Sequence, residues 1–230
     1  MKNLIDIIEG LKVSSKTKVI TITYSCKPKD KDELIDIIKE RLKKDKNANL
    51  NDIDVSHITD MSNVFVDLNP YNIDISEWDI SNVTNMSRMF EYCENFNSNL
   101  SDWDVSNVKN MSWAFAGSKF NNDSICKWNT SNVENMASMF SGCKNFNYDL
   151  SNWDVSNVKN MNSMFYECNN FNCDLSKWNV SNVTDMRYMF EDCKKFNCDL
   201  SKWNVSNVTN MIRMFYGCTS LKNIPKWYKK

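Results

Sequence analysis

The chain has 230 residues, 42% hydrophobic and 25% charged, enough for one substantial core. Lys+Arg 28 against Asp+Glu 29 leaves a net charge of -1, with no global field to hold nucleic acid or an acidic membrane. Gly 4 and Pro 3 exclude collagen-like and glycine-rich phosphate-loop readings, and His 1 removes most histidine catalysis and histidine-rich metal sites.

The first residues read MKNLIDIIEGLKVSSK. Asp6 and Glu9 interrupt the apolar run that an export signal needs, so none is expected here. No stretch is apolar for long enough to span a membrane. By default this gives a cytoplasmic location. Leu4, Ile5, Ile8 and Leu11 suggest a short helix, and Val19, Ile20, Ile22 and Tyr24 a strand. Asp30-Lys31-Asp32-Glu33 has the form of a capping box, and Leu34, Ile35, Ile38 and Leu42 continue as an amphipathic helix to about Lys46. Residues 1–50 are therefore expected to form a small α/β cap.

From residue 51 to 220 the chain repeats. Trp78, Trp103, Trp128, Trp153, Trp178 and Trp203 are each 25 residues apart. Met86, Met111, Met136, Met161, Met186 and Met211 keep the same register, as do Phe90, Phe115, Phe140, Phe165, Phe190 and Phe215. Cys93, Cys143, Cys168, Cys193 and Cys218 form another column, with Ser118 standing in once. A fixed period of this size points to a solenoid of about seven coils, the first degenerate. Leu100, Trp103 and Val105 suit a short strand. Met111, Ala114, Phe115 and Ser118 fall at i, i+3, i+4, i+7, one face of a helical turn, with Asn110 as its N-cap. The expected fold is thus an α/β repeat with one parallel β-sheet and short helical turns. Leu221, Ile224 and Trp227 extend the apolar pattern while Pro225 breaks its register, so residues 221–230 read as a C-terminal cap.

The repeat unit W-[DN]-V-S-N-V-x-N-M-x-x-M-F-x-x-C-x-x-F-N resembles the BspA-type leucine-rich-repeat surface proteins over roughly residues 30–224. The resemblance implies a leucine-rich-repeat-like solenoid without enzymatic activity, acting in adhesion and protein binding at a cell surface. It supplies no catalytic, cofactor or metal residues.

Several residues carry both a functional and a plain reading. His57 stands in a column otherwise filled by Asn82, Asn107, Asn132, Asn157, Asn182 and Asn207, and is read as a hydrogen-bonding corner residue. The column Asp54, Asp79, Asp104, Asn129, Asp154, Asn179 and Asn204 could stack carboxylates, yet Asn replaces Asp freely, so no metal is assigned. The cysteine column reads as core. Cys173 and Cys198 are one coil apart in a loop column, near enough in distance for a disulfide, and stay thiols in a reducing compartment.

Comparison of the units shows which columns vary. One holds Arg88, Trp113, Ser138, Ser163, Tyr188 and Arg213; another holds Tyr92, Gly117, Gly142, Glu167, Asp192 and Gly217; a third includes Lys127, Lys177 and Lys202. Arg, Trp and Tyr are favoured at interface centres. Arg88, Trp113, Tyr188 and Arg213, with Lys127, Lys177 and Lys202, are the candidate contacts for another protein, a host or cell-surface one if the resemblance holds. A glycan is the lesser alternative, and a self-assembling structural role the main one, as monomer or lateral homo-oligomer. The expected function is a non-enzymatic binding scaffold without cofactor, metal or nucleic acid.

Overall fold

A computed structural model describes residues 24–229. The helix expected over Leu4–Leu11 and the strand from Val19 lie outside the described residues, apart from exposed Tyr24. The first element is α1, Lys31–Lys44. Asp30 caps it, its Oδ1 accepting the Glu33 N–H at 3.0 Å. The return arm differs from a standard capping box: the Glu33 carboxylate accepts from the Lys29 N–H, 2.7 Å, one residue before the cap. Leu34, Ile38 and Leu42 are buried against the first coil. Lys31 Nζ reaches Asp60 Oδ2 at 2.7 Å and Arg41 reaches Asp52 Oδ2 at 2.9 Å, fixing α1 over that end of the stack.

The repeats stack in register, one coil per 25 residues, but not as a leucine-rich-repeat solenoid with a parallel β-sheet. Among the described residues there is no sheet. Neighbouring coils are joined by isolated parallel bridges along the column Asp60, Asn85, Asn110, Asn135, Asn160, Asp185 and Asn210. Besides α1, the only helical element there is the 3-10 turn Asp123–Ile125.

The reason is local. Where a strand was expected, Asn99 Oδ1 accepts the Ser101 N–H and Asp104 Oδ1 the Ser106 N–H, each at 3.0 Å. Such Asx turns reverse the backbone, and Trp103 N–H bonds back to Leu100 O, Val108 N–H to Val105 O. Where a helical turn was expected, backbone donors alternate. Met111, Trp113, Phe115 and Gly117 donate to Asn135, Ala137, Met139 and Ser141 of the next coil at 2.7–2.9 Å. Ala114, Ala116 and Ser118 donate three residues back, at 3.0–3.1 Å. Trp113 and Gly117 are left-handed, φ 61 and 67, as the third residue of a type II turn must be. Consecutive turns therefore place Met, Ala or Met, Phe and Cys inward without an α-helix. Asn110 accepts a backbone N–H as expected, that of Ser112 at 3.0 Å, but in a turn and not at a helix cap.

The core is a set of ladders. Phe65, Phe90, Phe115, Phe140, Phe165, Phe190 and Phe215 stack with ring centroids 5.1–5.9 Å apart. Phe96, Phe120, Phe146, Phe171 and Phe196 form a second file beside them. The repeat tryptophans are buried, and each indole N–H donates to a carbonyl of the coil before: Trp103 to Ile75, Trp153 to Ile125, Trp178 to Leu150, all at 3.0 Å. A buried aromatic contributes about 1.5–3 kcal/mol against a backbone ordering cost of about 1–2 kcal/mol per residue, so a lone coil cannot hold and a stack can. Trp227 continues the indole ladder one residue early, donating to Leu200 O at 2.9 Å and stacking on Trp203. At this C-terminal end Ile212, Tyr216 and Ile224 remain exposed around a hollow of about 1060 Å³.

Candidate functional site

The open column Arg88, Trp113, Ser138, Ser163, Tyr188 and Arg213 occupies one backbone state. All six have φ between 54 and 61, the left-handed region. Glycine is the residue this conformation favours, and an L side chain costs roughly 1–2 kcal/mol there. The neighbouring left-handed column uses Gly117, Gly142 and Gly217 in three coils and Tyr92, Glu167 and Asp192 in the others. The first uses none, so its side chains are kept against a backbone cost.

Read along the stack, this column runs cation, aromatic, small, small, aromatic, cation. Ser138 and Ser163 leave a trough between Trp113 and Tyr188. The result is a shallow groove of about 490 Å³, lined also by Tyr92 and Tyr166. Ser141 and Asn162 complete its floor. Gly117 makes room for Tyr92: a Cβ there would collide with the tyrosine ring.

Both ends of the column carry ion pairs. Arg88 lies over the Trp113 indole, its guanidinium carbon 5.1 Å from the ring centroid. It also holds both oxygens of Glu91, at 2.9 and 3.3 Å. At the other end Tyr188 stands where Arg88 would be, and the equivalent acid, Glu191, is served by Arg213 of the following coil at 2.5 Å. That arginine reaches one oxygen only. Glu191 is 4% exposed, and its Oε2 has no hydrogen-bond partner among the described residues. Burial raises the Glu191 carboxyl above its ordinary range, with Arg213 opposing.

The lysines are elsewhere. Lys127 and Lys202 are exposed and line two further depressions, the first with Asn99 and Asn122, the second with Cys173, Cys198 and Asp174. Lys177 is exposed and lines neither of these nor the aromatic groove. The structure thus does not gather Lys127, Lys177 and Lys202 with Arg88, Trp113, Tyr188 and Arg213 into one surface. The sequence reading did not nominate Glu191, Tyr92 or Tyr166. The signal that could have found the groove is the order of side chains along the column, small residues bracketed by aromatics.

The other singled-out residues are engaged structurally. His57 Nε2 contacts Pro28 O at 2.7 Å, and Asn82 and Asn107 likewise donate to carbonyls of the preceding coil, at 2.8 and 2.7 Å. The column of Asp104, Asn129 and Asp154 caps the serine two residues on. Thiols of Cys143, Cys168 and Cys193 donate to the Phe115, Phe140 and Phe165 carbonyls at 3.1, 3.0 and 2.9 Å. Cys173 and Cys198 are free thiols. Cys173 donates to Tyr148 O and Cys198 accepts from the Leu175 N–H at 3.3 Å. Burial pushes both thiols up to about 11. Among the described residues no three His, Cys, Asp or Glu side chains come together as a metal site, and no helix is long and apolar enough to cross a membrane.

Among known proteins, no curated protein and no solved structure matches the chain. A family model does, twice, over residues 36–125 and 110–228, and its description is Mycoplasma protein of unknown function, DUF285. The two matches span the stack and most of α1, so the chain belongs to the DUF285 family.

Proposed function

We propose that the chain is a non-enzymatic binding scaffold whose working surface is the groove between Trp113 and Tyr188. The observation that carries this reading is the glycine-free left-handed column. A residue held in a costly backbone state is explained by what its side chain does. Here those side chains are Arg, Trp and Tyr at the walls of a trough and Ser at its floor. The resemblance of the repeat to BspA-type surface proteins supports an adhesion-type role. The stack supplies rigidity, so the partner meets a preformed face.

The test is capture of a partner from cells by the immobilised chain. Trp113→Ala with Tyr188→Ala should abolish capture, while Lys127→Ala, Lys177→Ala and Lys202→Ala together should not. Capture that survives the aromatic pair of changes removes this reading.

A second reading is self-assembly. Exposed Ile212, Tyr216 and Ile224 at the C-terminal end support it, because apolar side chains gathered around one hollow favour association. Light scattering of Ile212→Asp against the unchanged chain tests it: a shared monomer mass removes it.

A further inference from the structure

We infer that the groove between Trp113 and Tyr188 takes a neutral saccharide, its hydroxyls meeting Glu191, Ser163 and Asn162 while its ring faces rest on the aromatic walls. This rests on the binding-scaffold reading and names the ligand chemistry.

The size comes first. Trp113 and Tyr188 are three coils apart, about 14 Å between backbones at the usual spacing of hydrogen-bonded chains. The volume of about 490 Å³ is that of a small-ligand site. Arg88 covers the Trp113 face turned to the preceding coil. The same indole lines the trough. Aromatic faces carry partial negative charge and accept the slightly positive C–H edges of a sugar ring.

Charge then narrows the choice. The charged groups lining the groove are Glu191 and Arg213, paired at 2.5 Å. A phosphate, a sulfate or a lysine would find no uncompensated partner. Glu191 Oε2 still lacks a donor, unlike Glu91, both of whose oxygens hold Arg88. Oε2 is closed off in the free chain, so a sugar hydroxyl meets it as the Glu191 side chain turns toward the groove, and a neutral O–H then satisfies it without a new charge. The remaining floor is hydroxyl and amide: Ser138, Ser141, Ser163 and Asn162.

An extended peptide fits less well. Strand addition needs a free backbone edge. In the trough the Ser138 and Ser163 N–H groups already donate to Asn162 O and Arg187 O of the next coils, at 2.8 and 2.9 Å. Recognition is left to side chains alone.

The experiment is calorimetric titration of the full chain with cellohexaose, N-acetylglucosamine hexamer and mannohexaose. Heparin and a lysine-rich peptide serve as charged probes. At least one neutral hexamer should bind, and Ser163→Tyr, which fills the trough, should abolish binding. That change is compatible with the fold, because Tyr188 occupies the same column at φ 58 against 54 for Ser163. Trp113→Ala and Glu191→Gln should each weaken binding about tenfold. Failure of all three hexamers overturns the inference. So does binding of heparin or the peptide alone, when Ser163→Tyr removes it. If Ser163→Tyr abolishes partner capture yet no saccharide binds, the scaffold reading stands and the saccharide falls. If capture is indifferent to Ser163→Tyr, both fall.

Discussion

Arg88 and Trp113 occupy the same position in consecutive coils, and the guanidinium of one lies 5.1 Å from the ring centroid of the other. The contact braces a wall of the groove from behind. Such a contact is worth about 0.5–1 kcal/mol at a surface. Arg88 does a second task, because its partner Glu91 is 4% exposed.

Removing Arg88 therefore strands a buried carboxylate. Arg88 is itself half exposed, so the full penalty of a broken buried pair is discounted for solvent, to about 1–2 kcal/mol. Arg88→Ala should lower urea stability by that amount. Adding Glu91→Gln should restore about half or more, since a neutral amide is cheaper to leave unpaired. A double variant no more stable than Arg88→Ala would show that the cation over Trp113, and not the ion pair, is what counts.

The left-handed column gives the opposite sign. Ser163 has φ 54 and packs at the trough floor. Ser163→Gly removes a steric cost of roughly 1–2 kcal/mol and adds unfolded-state entropy of about 0.5–1 kcal/mol. The net expectation is stabilisation of about 0.5–1 kcal/mol, read from the denaturation midpoint. Gly117→Ala goes the other way. It places a Cβ against the Tyr92 ring at φ 67, so it should destabilise by about 1–2 kcal/mol and push Tyr92 off the groove wall.

The thiols divide by burial. Cys93, Cys143, Cys168, Cys173 and Cys193 are buried, and burial pushes Cys93 and Cys143 up to about 12. A disulfide reagent at pH 8 should modify the half-buried Cys26, Cys126, Cys198 and Cys218 first. The five buried thiols should react only at the rate of unfolding. Cys143→Ala should cost about 1–2 kcal/mol, because it leaves a gap in the core and takes one of two donors from the Phe115 carbonyl, which keeps the Ser118 N–H. Cys143→Ser should cost less, as Ser118 already holds that column position.

Much of this was legible in the sequence, and the limits are instructive. The period placed Trp103, Met111 and Phe115 in one interior, where the structure has them. It could not distinguish a helical stripe from consecutive turns, because both bring residues at i, i+3, i+4 and i+7 to one side. The deciding feature is the left-handed state of Trp113 and its equivalents. A tryptophan does not advertise that state as glycine does. The strand reading of Leu100–Val105 failed for a related reason: Asn99 and Asp104 each seize a backbone N–H two residues on, and the chain turns. In the groove, Trp113 and Tyr188 stood out as aromatics in a variable column. Glu191 did not, because its significance lies in an arginine that comes from the next coil and reaches one oxygen.

Acid should dismantle the stack through these same turns. The Ser56 hydroxyl and then Lys27 hold Asp54 down at about 2. The Ser106 hydroxyl lowers Asp104, the Ser151 N–H lowers Asp149, and the Ser176 hydroxyl lowers Asp174. In an unfolded chain an aspartate titrates near 3.9, so these groups bind protons more readily unfolded than folded. Their contribution is complete above about pH 5 and is lost as pH falls through about 4 toward 2. Glu191, raised by burial, has the opposite sign and offsets part of this loss. Tryptophan fluorescence should therefore report a cooperative acid transition in that window. Asp104→Asn with Asp149→Asn should shift its midpoint to lower pH while leaving neutral stability within about 0.5 kcal/mol. Asn already makes the same turn at Asn99 and Asn129. A midpoint unmoved by both changes would mean that the acid transition is set by the ion pairs holding α1 to the first coil, Lys31 with Asp60 and Arg41 with Asp52, and not by the turns.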